Sequence, residues 1–286
     1  MAGRLLVVGT PIGNLGDLTP RAAEALRSAD LVVAEDTRLA RRLLSHIGAK
    51  RPTVSYHDHS PDARLGDLLG RLAGGATLAF TSDAGMPGVS DPGARLVEAA
   101  RAAGASVEVL PGPSAVTAAI AASGVESLGF VFGGFLPSRP ASARIVALRR
   151  LLDASGSTGM PLVLFEAPHR VRALLSALDE MLPTAWVAAC RELTKLHEEV
   201  LLGTPAEVRA RLSEPRGELT LVVSRIPGPA AAAPAFDASA LVYAARSAGL
   251  APRAVVELLR AAGMPRRAAY RAVGADGDMP PGNETG

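Results

Sequence analysis

Five times in its first 123 residues the chain repeats one pattern: a short apolar run, a polar or Gly/Pro-rich loop, then a helical pattern. The runs are 5–8, 31–34, 52–56, 76–80 and 106–110, and the helical patterns are 19–28, 38–45, 62–73, 94–103 and 115–123. Strands that alternate with helices in this way must run parallel, because each helix carries the chain back to the edge where it started. The order therefore predicts a mainly parallel sheet with helices packed on it, and it places every loop that follows a strand at one edge.

After residue 120 the pattern changes. A dense aromatic run, 130–136, precedes a basic helix at 139–153, a strand at 161–165 and a helix at 168–181. Residues 186–191 and 198–203 read as paired strands, 205–212 as a helix and 218–224 as a last strand, so this half predicts a mixed sheet. The division is an N-terminal α/β domain at 1–119 and a second α/β domain at 120–226. A linker rich in Pro, Gly and Ala follows at 227–236, then a small helical domain at 237–273 and a tail at 274–286.

Composition narrows the classes. The chain has 286 residues, enough for about two domains, and 48% of them are hydrophobic, but only 3% are aromatic, so the core is Ala, Val and Leu. No apolar run approaches the ~20 residues of a membrane span, and the N-terminal apolar stretch is too short for a secretory signal. The expectation is a soluble cytoplasmic protein with no membrane association. The single cysteine, Cys190, excludes an internal disulfide framework and a cysteine-rich metal site, and reads as a packed thiol. Of 30 basic residues only Lys50 and Lys195 are lysines. Ammonium and guanidinium are not interchangeable in reactive positions, so a lysine retained in an arginine-rich chain singles out Lys195.

Three loops at the carboxyl edge carry unusual chemistry. Gly9-Thr-Pro-Ile-Gly-Asn-Leu-Gly16 lacks both the Lys-Ser/Thr of a triphosphate loop and the full spacing of a dinucleotide fingerprint. Thr81-Ser-Asp-Ala-Gly-Met-Pro-Gly-Val-Ser-Asp-Pro-Gly93 packs three glycines, two prolines and two aspartates into one strand-to-helix turn, which suits a binding loop whose Asp83 meets a cation or ribose hydroxyls. Pro111-Gly-Pro-Ser114 is the third. In open α/β sheets this edge is where ligands bind.

Other groups are ambiguous by sequence alone. Glu35 and Asp36 end a strand, with Arg38, Arg41 and Arg42 on the next helix: either an active-edge carboxylate beside a phosphate-binding face, or helix capping and a solvated arginine face. Arg139, Arg144, Arg149 and Arg150 pose the same choice. His57 and His59 flank Asp58 in a polar loop whose spacing suits a substrate contact better than a metal. Glu166-Ala-Pro-His-Arg170 puts His169 and Arg170 at a helix start, where an anion can be met. Arg191-Glu-Leu-Thr-Lys-Leu-His-Glu198 mixes both charge signs, as a site or as a salt-bridge cluster. No Gly-x-Ser-x-Gly elbow supports a hydrolase, and no metal ligand set is expected.

Thr10-Pro-Ile-Gly-Asn-Leu-Gly-Asp-Leu-Thr-Pro20, Ala34-Glu-Asp-Thr-Arg38, Ser82 to Gly93, Leu110-Pro-Gly-Pro-Ser-Ala115, Gly134-Phe-Leu-Pro137, Phe165-Glu-Ala-Pro-His-Arg170, Cys190-Arg-Glu-Leu-Thr-Lys195 and Gly217-Glu-Leu-Thr-Leu221 occur in that order. Together they resemble the bacterial 16S ribosomal RNA cytidine 2′-O-ribose methyltransferases, a family of the tetrapyrrole methylase superfamily. The resemblance covers residues 4–225, and less specifically 237–273. It implies two α/β domains of tetrapyrrole-methylase type with S-adenosyl-L-methionine in the cleft between them, a small C-terminal helical domain, and a homodimer acting on 16S rRNA within the small ribosomal subunit.

By the same resemblance, Pro11 lines the cofactor cleft, and Asp83 and Met86 correspond to the superfamily's Gly-Gly-Asp-Pro loop around the methionine part and ribose. Ser114 and Ala115 form the next cofactor loop, and Phe165 or Glu166, with Glu218, Leu219 and Thr220, closes on the adenine. Candidates to take the 2′-hydroxyl proton or to stabilise the oxyanion left behind are Lys195, Glu192, Glu35, Asp36 and Glu166, with Lys195 open to either role, as a neutral base or as an ammonium. Candidate RNA contacts are Arg38, Arg41, Arg42, His57, His169, Arg170 and Arg191. The loop after Tyr56 departs from the family pattern near Ser60. Two other readings stay open: a methyltransferase for a corrinoid or porphyrin, and a non-catalytic ribosome-binding protein that retains the cofactor fold.

Overall fold

The structure is a computed structural model that describes residues 3–57, 60–89, 93–213, 217–224, 238–262, 264 and 266–274. The linker expected at 227–236, His59 and nearly all of the tail lie outside the described residues. Two compact units are present, Met1–Pro227 and Gly228–Gly286.

The first half of the larger unit repeats strand and helix. Its elements are β1 (Arg4–Val8), α1 (Pro20–Ser28), β2 (Leu31–Ala34), α2 (Thr37–His46), β3 (Thr53–Ser55), α3 (Asp62–Ala73), β4 (Thr77–Thr81), α4 (Gly93–Ala102) and β5 (Ser106–Leu110). The strands form one sheet in the order β3-β2-β4-β1-β5, and every pairing is parallel. Alternation along β1 decides which helices cover which face, since neighbouring side chains on a strand point to opposite sides. Leu6 and Val8 join the core under α1 and α2, with Leu26, Leu43 and Leu44. Leu5 and Val7 join the core under α3 and α4, with Leu68, Leu72, Phe80 and Leu96.

Local signals set the helix starts. Thr19 caps α1 by accepting from Ala22 N at 3.2 Å, with Pro20 in the first turn. Asp36 caps α2 by accepting from Arg38 N at 2.7 Å. A short 3-10 turn at Leu15–Asp17, not expected from the sequence, is closed by Asn14.

The second half contains α5 (Ala115–Ser123), β6 (Val131–Phe135), α6 (Ala141–Thr158), β7 (Leu162–Glu166), α7 (Pro168–Met181), β8 (Trp186–Arg191), β9 (Glu199–Gly203), α8 (Pro205–Arg211) and β10 (Leu219–Ser224). Its sheet is mixed, in the order β6-β7-β10-β8-β9: β6 and β7 are parallel and the remaining pairs antiparallel. One face packs under α6, α7 and α8. The other is covered by α5, whose Val116 and Ala119 pack with Val163, Ala188, Cys190 and Val222. Helix α5 spans residue 119 and packs on this second sheet. Ile12, from the loop after β1, is 7% exposed and belongs to the same cluster, so a first-half loop is built into the second-half core.

The smaller unit holds α9 (Ala238–Ser247), α10 (Pro252–Ala261) and α11 (Arg266–Ala272), packed around Val255, Val256, Leu259 and Tyr270. Among the described residues no helix is long and apolar enough to cross a membrane.

Candidate active site

The loops that leave β1, β4 and β5 meet because their strands are neighbours in the sheet. Thr10 and Gly85 exchange backbone hydrogen bonds at 2.9 and 3.2 Å, which fixes the first loop against the second. Gly9 and Gly112 face each other so closely that a Cβ on Gly9 would lie 2.6 Å from Gly112 N and from Met86 Sδ. Only glycine fits there, whatever its φ. Gly112 N donates to Met86 Sδ at 3.2 Å and holds that thioether at the junction.

These loops form one wall of a cavity of about 470 Å³, within the ~300–1,000 Å³ usual for small-molecule sites. Glu35, Asp83, Met86, Ser114 and Ala115 line it from the first wall. Phe165, Glu166, Glu218, Leu219 and Thr220 line it from the second sheet. Phe165 is fixed by ring contacts to Phe132 at 5.2 Å and Phe135 at 5.3 Å. Glu35, Asp83, Glu166 and Glu218 are carboxylates, and no Lys, Arg or His is among the described lining residues. A sulfonium with an α-ammonium group fits beside Glu35 and Asp83 and the apolar surface around them, whereas Glu166 and Glu218 are already paired with cations. Burial, the largest effect, raises the Asp83 carboxyl above its usual range, and the Asp36 and Glu218 carboxylates add to it, against the hydrogen bond that Asp36 N donates at 2.8 Å.

Beside this cavity lies a charged clasp. Lys195 Nζ is 2.8 Å from Glu192 Oε1 and 3.0 Å from Glu218 Oε2. Burial opposes the ammonium charge, but the two carboxylates outweigh it and raise the Lys195 pKa. The hydrogen bond from Lys195 lowers that of Glu192. The loop that carries them is tightly wound: Glu192 (φ 53°) and Thr194 (φ 68°) both occupy the left-handed region that non-glycine residues avoid. Gly217 (φ 76°) faces Glu192, and a Cβ there would sit 1.9 Å from Glu192 Oε1. The Lys195 stem runs over Gly13, where a Cβ would meet Lys195 Cγ at 2.4 Å.

The remaining expected residues fall in separate places. Glu166 has no exposed side-chain surface; it pairs with Arg144, and its Oε1 accepts from Arg170 Nε at 2.8 Å. Asp36 pairs with Arg38 at 2.6 Å, and that guanidinium holds its carboxyl down at about 2. The capping reading of Asp36 is thus met, while its own N–H reaches Asp83. Arg41 and Arg42 lie exposed on α2, and Arg41 Nε donates to Thr53 Oγ1 at 3.0 Å. Arg191 pairs with Glu199 at 3.1 Å. His57 and His169 are exposed, and neither lines the cavity. His57 N donates to Ser60 Oγ at 2.8 Å, so Ser60 closes that loop. Pro11 does not line the first cavity; it borders a second one. Cys190 is buried, and burial pushes its thiol up to about 12. Sequence reasoning passed over Gly13, Phe135 and Gly217. Each sits inside or beside a quoted motif, but only the fold shows which of their neighbours cross the cleft.

The two-sheet architecture and its cleft define a class. Residues 4–209 match the family model of Tetrapyrrole (Corrin/Porphyrin) Methylases. Solved structures share the fold: diphthine synthase superposes with a TM-score of 0.63 at 16% identity, covering 78% of this chain and 90% of that one. Uroporphyrin-III-C-methyltransferase from Thermus thermophilus gives 0.54 at 23%, covering 79% and 93%. Closer relatives are named Ribosomal RNA small subunit methyltransferase I. That of Xylella fastidiosa (strain Temecula1) is 40% identical, covering 94% of this chain and 98% of the relative. That of Thermotoga maritima is 41% identical, covering 78% and 98%. The chain therefore belongs to the tetrapyrrole methylase family, in the group formed by the ribosomal RNA small subunit methyltransferase I proteins.

Proposed function

We propose that this protein is an S-adenosylmethionine-dependent methyltransferase that methylates the ribose 2′-hydroxyl of a cytidine in the decoding region of 16S rRNA. It acts in the cytoplasm as a homodimer, on RNA within the small ribosomal subunit. The observation that carries the cofactor assignment is the cavity at the carboxyl edge of the sheet, lined by carboxylates and by no cationic side chain among the described residues. The relatives' names and the arginines of α2 support an RNA substrate.

When bound, S-adenosylmethionine supplies a methyl group on a sulfonium, a good leaving group. Asp83 and Met86 hold the methionine part and ribose, Ser114 and Ala115 offer the backbone N–H groups of the first turn of α5, and Phe165 with Leu219 and Thr220 bounds the adenine. A neutral ribose hydroxyl is a poor nucleophile, so the chain must orient it and take its proton. Glu35, a cavity carboxylate at the end of β2, is the proton acceptor. Lys195 acts charged, because Glu192 and Glu218 favour its ammonium form, and it stabilises negative charge growing on the 2′-oxygen. Glu166 positions: with Arg144 and Arg170 on its carboxylate it braces the adenine wall.

The test is to map 2′-O-methylation on 16S rRNA after incubating small subunits with protein and cofactor. One methylated cytidine ribose in the decoding region is expected, and a methyl group on a base would refute the reading. Lys195→Met, which removes the charge, should lower turnover about 100-fold with cofactor affinity unchanged; near-normal turnover would remove Lys195 from the mechanism.

A further inference from the structure

A second cavity, of about 250 Å³, shares Ser82 and Asp83 with the first and opens between the β1 loop and α2. Three features set it apart. Its apolar walls include Pro11, Leu15 and Leu39, and the last two are large side chains 36% and 44% exposed that line the same opening. Its rim carries Arg42, with Arg38 and Arg41 on the same helix, so positive charge lies next to apolar surface. It also borders Gly13, the residue over which Lys195 passes on its way to Glu218, itself a wall of the first cavity.

From this we infer that the second cavity is the acceptor subsite: it takes one unstacked pyrimidine nucleotide of the RNA, its base against Pro11, Leu15 and Leu39 and a phosphate on Arg42. The size admits a single nucleotide and no base pair. Enzymes that read single-stranded RNA splay a base onto side-chain surface and leave the phosphates to arginine. In a chain so poor in aromatics, proline and leucine provide that surface. A nucleotide seated there meets the cofactor cavity at Ser82 and Asp83, the residues that the two cavities share. The inference rests on the proposed RNA methyltransferase reading and adds to it where the target nucleotide binds.

The test compares wild type with Leu39→Trp, Leu15→Trp and Arg42→Ala in methyl transfer to small subunits, with S-adenosylmethionine affinity measured on each variant. Filling the cavity from an exposed position with either Trp should cut turnover at least about 100-fold while cofactor binding stays normal. Arg42→Ala should raise KM for subunits about tenfold with kcat nearly unchanged. Transfer at wild-type rate by both Trp variants overturns the subsite while leaving the methyltransferase reading intact. No transfer to subunits by wild type itself refutes that reading and the subsite with it.

Discussion

Asp83 is a carboxylate that the fold holds at some cost. Burial raises its pKa, so the folded state binds a proton there more tightly than the unfolded chain does. The sign follows: stability falls as pH rises from the ordinary Asp value, 3.8, through the folded value, and the ionised group opposes folding at neutral pH. Asp83→Asn should therefore raise Tm slightly at pH 7, and the gain should vanish below pH 3.8. The same variant should lose S-adenosylmethionine binding, checked by calorimetry; a lower Tm at pH 7 would contradict the linkage. Much at this scale was legible in the sequence. Asp83, Ser114 and Lys195 stood out through residue type and loop composition. Gly13 and Gly217 did not, because their importance lies in what a Cβ would strike across the cleft, and that depends on pairs far apart in the chain.

Between elements, the buried Glu166 ties the end of β7 to two helices: Arg144 comes from α6 and Arg170 from α7. Removing one side of a buried ion pair costs about 3–5 kcal/mol. Glu166→Gln should fall at the lower end, about 3 kcal/mol by urea denaturation, because both guanidinia keep some contact with solvent. A loss within about 0.5 kcal/mol would mean that the pairs contribute as little as surface bridges do. The elements themselves were readable, since apolar runs and caps such as Thr19-Pro20 are local signals. Strand order was not: that β4 inserts between β2 and β1, or that β10 pairs antiparallel with both β7 and β8, depends on which faces bury best together.

At the scale of the whole molecule, the chain separates into Met1–Pro227 and Gly228–Gly286. Every cavity residue and the charged clasp lie in the first unit. The Thermotoga maritima relative is covered over 98% of its length by 78% of this chain, close to the share that the first unit takes. A protein ending at residue 227 should therefore fold cooperatively and bind S-adenosylmethionine with the affinity of the full chain. Calorimetry and thermal unfolding check this; loss of cofactor binding in a folded fragment would give the helical unit a part in the site.

The Lys195 stem lying over Gly13 has a consequence for how the protein matures. One contact partner leaves the ribosome near the start of the chain, and the other only after most of the second sheet has been made. Pairings of such long sequence separation form late, once both sheets exist. A partly folded chain therefore has neither a finished cofactor wall nor a seated ammonium, and reactivity toward RNA arrives only with the completed fold.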